Sequence, residues 1–304
     1  MLDLTGSRAS RSAFASPGRR IRRLRPDSLV AISGLPFPVL ASAGAQATAR
    51  RIAERAQLTC DFLERVLGVA PTVSLRVLDR DDWDSHADVA AYGFAHVAHD
   101  GYLVVGAGAG DAWRTVSSHF ARHLPPRALA RLVGVHGVDS ANRRGPALDA
   151  FAELLVVHDV AHMLATQMDL RFETRWLEEA FANYVLVAVL GDCEPSALRL
   201  VGSLADAATS LDAWLPTLRE FEEPAGKLDA TATVLAELAI TRSVYAAYAL
   251  RHTAPLVKLF ASFRPGSRPR DADYELGRML SIDVHPTIAA IPARFVRATM
   301  RAAA

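Results

Sequence analysis

AELLVVHDVAHMLATQMDLRFETRWLEEAFANYVLVAVL, residues 152–190, decides how this chain is read. Leu154, Leu155, Val156, Val157, Val160, Ala161, Met163 and Leu164 surround His158 and His162 with apolar side chains. A helix that is apolar nearly all round is a buried one. Residues four apart share a helix face, so both imidazoles can reach one point. A metal ion is the usual reason to place two histidines this way. Buried imidazoles and the intervening Asp159 need partners, because unpaired polar groups in a core are costly. The alternative is a pair of core histidines bonded to nearby carboxylates.

A third ligand is expected from the next helix, which opens on Trp176-Leu177-Glu178-Glu179-Ala180-Phe181-Ala182-Asn183-Tyr184-Val185. It offers two glutamates. Acidic residues favour the first turn of a helix on dipole grounds alone, so one of them can be only that.

Upstream, the 27 N-terminal residues are basic and Ser-rich. Their charge run, Gly18 to Pro26, reads as a solvated arm, and residues 1–28 are set apart on that basis. The rival is an export signal over residues 18–43, with an apolar stretch from Leu29 to Leu40 and Ala41-Ser42-Ala43 as cleavage site. Gly34, Pro36 and Pro38 interrupt that stretch, which favours a cytoplasmic protein with a short strand over Leu29 to Leu40. A helix follows from Ala45 to Leu67, stopped by Gly68 and Pro71. Val73, Leu75 and Val77 alternate as a strand. Asp79 to Asp88 reads as turn. Tyr92 to Val97 and Tyr102 to Val105 read as strands joined through His99-Asp100-Gly101. Ala107 to Gly110 lacks the spacing of a nucleotide-binding loop and reads as a turn. Beyond residue 111 the pattern predicts helices over 112–123, 127–135, 148–168, 175–190, 195–208, 230–251 and 288–302. The class is α+β, with a sheet-bearing lobe over 29–170 and a helical lobe over 171–304.

The 304 residues carry 34 basic and 33 acidic side chains, a net charge of +1 that gives no reason to expect nucleic-acid binding. No apolar run reaches the ~20 residues of a membrane span. With only Cys60 and Cys193, a disulfide framework and a cysteine-only zinc site are both excluded.

HDVAH followed by WLEEAFANYV resembles the gluzincin metallopeptidases, which carry His-Glu-x-x-His on one helix and a ligand Glu on the next, often within Trp-Leu-x-Glu-Gly-Phe-Ala-x-Tyr. Aminopeptidase-N-like and thermolysin-like enzymes share that arrangement. The resemblance covers about 35 residues and implies a gluzincin catalytic unit holding zinc. His158, His162 and Glu179 fall on the ligands, and Glu178 on a non-ligand position. Asn183 falls where these families often have an acidic residue that orients a ligand histidine. The implied activity is hydrolysis of peptide or protein substrates by metal-activated water.

One departure is chemical. Asp159 stands where the family has its glutamate base, and its carboxylate sits roughly 1.5 Å further back. A ~1 Å misplacement can cost ~100-fold in rate. Asp159 therefore reads either as a weakened base or as a group that only hydrogen-bonds near the metal. The second outcome would make the protein a non-catalytic, zinc-binding peptide-recognition module. The family's oxyanion donor, a Tyr or His from the helical half, has candidates in Tyr245 and Tyr248, with His252 and His285 behind them. Tyr102 to Val105 is the candidate strand to pair with an extended substrate. His96, His99, His119, His123 and His136 read as ordinary surface histidines.

Overall fold

A computed structural model describes residues 29–266 other than 90, 141–142, 173, 212–213, 217 and 223–227. The N-terminal arm, the terminal helix predicted over 288–302 and His285 lie outside them. The single strand expected over Leu29 to Leu40 is instead a hairpin of β1 (Leu29–Ala31) and β2 (Val39–Ser42), with Leu29 opposite Ser42. Gly34 takes φ +80 between them, and the two prolines lack the N–H a continuous strand would need. Helix α1 (Gln46–Leu67) ends where Gly68 adopts φ 73 and its N–H returns to the Glu64 carbonyl. Strand β3 (Leu75–Leu78) follows. The stretch from Asp79 onward is not simply turn: it contains α2 (Arg80–His86). The Asp79 carboxylate accepts from the N–H groups of Asp81 and Asp82, and those two acids sit in the positive first turn.

Strands β4 (His96–Val97) and β5 (Leu103–Gly106) pair antiparallel around the predicted reversal. The sheet order is β1-β2-β3-β5-β4. Its three central strands run parallel, and α1 is the crossover that parallel pairing of β2 and β3 requires. Strand β5 therefore lies between β3 and β4 with both its edges occupied. It cannot accept a substrate strand, which corrects the expectation for Tyr102 to Val105. The open edge on that side belongs to β4.

The rest is helical: α3 (Asp111–His123), α4 (Pro126–His136), α5 (Asp149–Gln167), α6 (Arg175–Cys193), α7 (Pro195–Thr209), α8 (Leu218–Phe221), α9 (Ala230–Arg251) and α10 (Ala254–Phe263). The class is α+β, mostly helical. No helix among the described residues is long and apolar enough to cross a membrane. Helix α6 packs against α5, α7 and α9. Its Phe181, Val185, Val187 and Leu190 are fully buried on faces that point in different directions. That is why residues 176–190 show no polar stripe. One continuous core runs from Val39 of the sheet to Phe263 of α10.

The loop between β5 and α3 anchors the site helix. The Asp149 carboxylate, in the first turn of α5, accepts from the N–H of Ala109 at 2.9 Å. The Trp113 indole donates to the Gly93 carbonyl at 2.9 Å and packs edge-on against Phe151 of α5.

Candidate metal centre

Helix α5 presents His158 and His162 one turn apart, with ring centroids 4.7 Å from each other. Helix α6 presents Glu179 just beyond its first turn. Thr174 gives α6 no side-chain cap, and Glu222 supplies one from a distant loop. Its carboxylate accepts from the N–H groups of Arg175 at 2.9 Å and Trp176 at 2.7 Å. This fixes the turn that carries Glu178 and Glu179.

The Oε2 of Glu179 lies 3.2 Å from the Nε2 of His158 and 3.4 Å from the Nε2 of His162. Neither approach has hydrogen-bond geometry, so this buried oxygen has no hydrogen-bond partner among the described residues. The three ligand atoms lie within 4.8 Å of one another, the one such group among the described residues. Zinc bonds of ~2.0–2.1 Å put neighbouring ligand atoms of a tetrahedral ion about 3.3 Å apart. The two distances to Glu179 fit that spacing, and two imidazoles with a carboxylate are a zinc donor set. No protein-family model, curated protein or solved structure matches the chain.

Both imidazoles turn Nε2 toward Glu179, and each Nδ1 faces another carboxylate. Glu178 Oε1 is 3.2 Å from the Nδ1 of His162. Asp159 Oδ1 is 3.8 Å from the Nδ1 of His158. Glu178 is thus more than a first-turn acid: it holds the ring of His162. Asn183, expected to orient a histidine, instead accepts from the Thr241 hydroxyl at 2.9 Å, and its buried Nδ2 is without a hydrogen-bond partner among the described residues. Glu178→Gln is expected to keep the metal but weaken its binding by about 10–100-fold, as loss of an outer partner does. Competition with a chelator measures this, and an unchanged affinity would show the contact to be idle.

Without metal, the cluster is an ion network. Burial opposes a charge on His158, but Asp159 and Glu179 outweigh it and raise its pKa to about 9. Burial likewise opposes charge on His162, and Glu179 with Glu178 overrides it, so this pKa also rises well above the usual value. Glu179 is held below its ordinary range by the two histidines, against the effect of burial. The histidine stabilisation is complete below the unfolded pKa of ~6.5 and is lost as pH rises through about 9. That of Glu179 is present above an ordinary pKa of 4.5 and is lost as pH falls through its depressed value. A zinc ion binding here would have to expel the imidazole protons. Its affinity is therefore expected to rise between pH 6 and 8, by up to about 100-fold per unit for two displaced protons. A pH-independent affinity in that range would count against this ligand set.

Asp159 is buried, at 9% exposure. The ring of Tyr245 packs on Gly202 of α7, and that of Tyr248 on Gly191 of α6. Gly191 is twelve residues beyond Glu179, about 18 Å along the helix. The Tyr184 hydroxyl donates to the carbonyl of His252 at 2.9 Å, in the same distant region. Tyr245 and Tyr248 therefore pack helices together and do not face the triad. His99 is exposed beside Asp88, as a surface histidine would be. His96 is not: at 3% exposure, it hydrogen-bonds the carbonyl of Phe94 and the N–H of Asp88. His136 is half-buried, 2.9 Å from the Ser203 hydroxyl. His119 and His123 stack against Trp214.

Two groups at the site escaped the sequence reading. Arg175 lies over the ring of Phe221, 4.2 Å from its centroid. Its guanidinium is 3.9 Å from Glu179 Oε1 and 3.9 Å from Glu237 Oε1. Glu237, on α9, lines a largely apolar cavity of about 20 Å³ whose other polar lining residues include His158, Asn183 and Thr241. Burial and the neighbouring Glu179 push the Glu237 pKa up to about 7. Arg175 stands one helical turn before Glu179, a readable spacing. Nothing in the sequence marks which residue of α9 faces α5.

Proposed function

We propose that this protein is a zinc-dependent, gluzincin-like peptidase. The convergence of His158 Nε2 and His162 Nε2 on Glu179 Oε2, at 3.2 and 3.4 Å, carries this reading. The order of sheet, histidine helix and glutamate helix supports the gluzincin assignment of the fold. Zinc, when bound, would polarise the scissile carbonyl and acidify the attacking water. His158, His162 and Glu179 would hold it, and Glu178 would fix the ring of His162. Arg175 offsets part of the negative charge of Glu179 and Glu237. Strand β4, which packs on α5 and forms a sheet edge, offers backbone groups to an extended peptide.

A second reading rests on Asp159. Its approach to the Nδ1 of His158, the nitrogen turned away from Glu179, is that of a group orienting the ring. If no carboxylate serves the attacking water, the protein binds zinc and peptides without turnover. Purified protein is expected to carry about one zinc per chain. It is expected to cleave members of a broad peptide library, and a chelator should abolish the cleavage. Zinc binding without cleavage selects the binding module. Failure to bind supplied zinc rejects both readings.

A further inference from the structure

The site holds one more carboxylate than the ligand set and its ring contacts use, and it comes from the helix opposite α5. We propose that Glu237, rather than Asp159, is the proton acceptor of this centre. The proposal rests on the peptidase reading and assigns its proton-transfer group.

Glu237 shares a cavity wall with His158, so its side chain opens on the same space as a ligand ring. Its Oε1 and the Oε1 of Glu179 are joined through one guanidinium, 3.9 Å from each. That length is loose for an Arg–carboxylate pair, whose charge-assisted bonds run at ~2.7–2.9 Å. Glu237 therefore keeps lone pairs free to accept a proton. Its register is fixed. The Thr241 hydroxyl, one turn further along α9, lies 2.7 Å from the Glu237 carbonyl and 2.9 Å from the Asn183 Oδ1 of α6, with one proton to share between them. The side chain is 29% exposed, so it meets solvent as well as the core. Asp159 is nearly enclosed and lies beside the Nδ1 of its own neighbour.

In the step assigned to it, the oxygen of the attacking water forms the new C–O bond, and one water proton goes to a Glu237 oxygen. As the C–N bond breaks, that proton is delivered to the departing nitrogen and the carboxylate is restored. The second water proton stays with the new carboxyl group and leaves to solvent on its ionisation.

Acetohydroxamic acid tests the assignment without turnover, because it must give up its proton to chelate a metal. The zinc-loaded protein is titrated with it by calorimetry in buffers of different ionisation enthalpy, which counts the protons released. Native protein is expected to release close to none, since Glu237 retains the proton. Glu237→Gln should release about one and still carry zinc. Asp159→Asn, once loaded with zinc, should also release close to none, whatever the loss of its contact to His158 does to zinc affinity. In parallel, Glu237→Gln should lower peptide turnover by about 100-fold or more, in the range of a lost general base. Proton release by native protein, its absence in Glu237→Gln, or its appearance in Asp159→Asn would overturn the proposal. Loss of the peptidase reading looks different: native protein then binds no hydroxamate for want of zinc, or binds it with the expected proton count and cleaves no peptide.

Discussion

Glu179→Gln is expected to weaken zinc binding by about 1,000-fold. A zinc site in a small domain is worth ~10–16 kcal/mol, so one of three or four ligands accounts for ~3–4 kcal/mol. Each ~1.4 kcal/mol is tenfold in affinity. Glutamine keeps the shape and a carbonyl oxygen, but it loses the charge that meets two imidazoles at 3.2 and 3.4 Å. Glutamine is preferred to alanine because Glu179 is buried and a truncated side chain would leave a void. The metal-free protein supplies a second readout. There the charge of Glu179 holds both histidines protonated, so the variant should let them titrate lower. Thermal unfolding with and without zinc reports both effects. A ligand at 100 times its Kd stabilises by ~2.7 kcal/mol, and this increment should vanish in the variant at the same zinc concentration. A zinc affinity within threefold of native would remove Glu179 from the ligand set. Glu178→Gln sharpens the comparison. It removes a carboxylate one residue away, about 100° round the helix, and should cost far less.

What the sequence reveals and what it hides follow from the range of each signal. The ends of α1, α5 and α9 are legible because capping, periodicity and breakers act within a few residues. The histidine pair is legible for the same reason: the i, i+4 relation needs only one helix. Helix α2 was readable in principle, since Asp79 caps it and Asp81 and Asp82 follow in its first turn. The density of acidic residues read as turn because they serve both structures. Helix α10 is short and is absent from the predicted set, although Pro255 in its first turn is a start signal. Strand order is a different matter. Nothing in Leu103-Val104-Val105 states that β5 runs parallel to β3 and is flanked on both sides. Tyr245 and Tyr248 share this limit. Their helix is recognised correctly, yet the faces they present meet glycines of α7 and α6 rather than the triad. Glu237 is the converse, a polar residue on an apolar helix whose meaning depends on the element it faces.

Gly110→Ala is expected to destabilise the protein by about 3 kcal/mol or more, from overpacking and a disturbed buried hydrogen bond together. The cause is space. Gly110 precedes α3 with φ −79 and ψ −177, an extended conformation open to any residue. A Cβ there would collide with the backbone carbonyl of Tyr92, which no rotamer change can move aside. The neighbouring segment has little freedom to yield. Gly93 takes φ +94, and a Cβ on it would approach the Gly110 nitrogen to 2.6 Å. The two stretches cross backbone against backbone, and displacing one drags on the 2.9 Å bond from Trp113 to the Gly93 carbonyl. Trp113 packs on Phe94 and Phe151, so the strain reaches α5, the helix that bears His158 and His162. Gly134→Ala is the control. That glycine lies inside α4 with nothing near its absent side chain, and alanine there should stabilise by ~0.5–1 kcal/mol through helix propensity. Urea unfolding of the two variants should move in opposite directions from the native midpoint. If Gly110→Ala unfolds within 0.5 kcal/mol of native, the backbone crossing is slacker than the structure shows. It would then be a poor candidate for the element that fixes the register of the histidine helix.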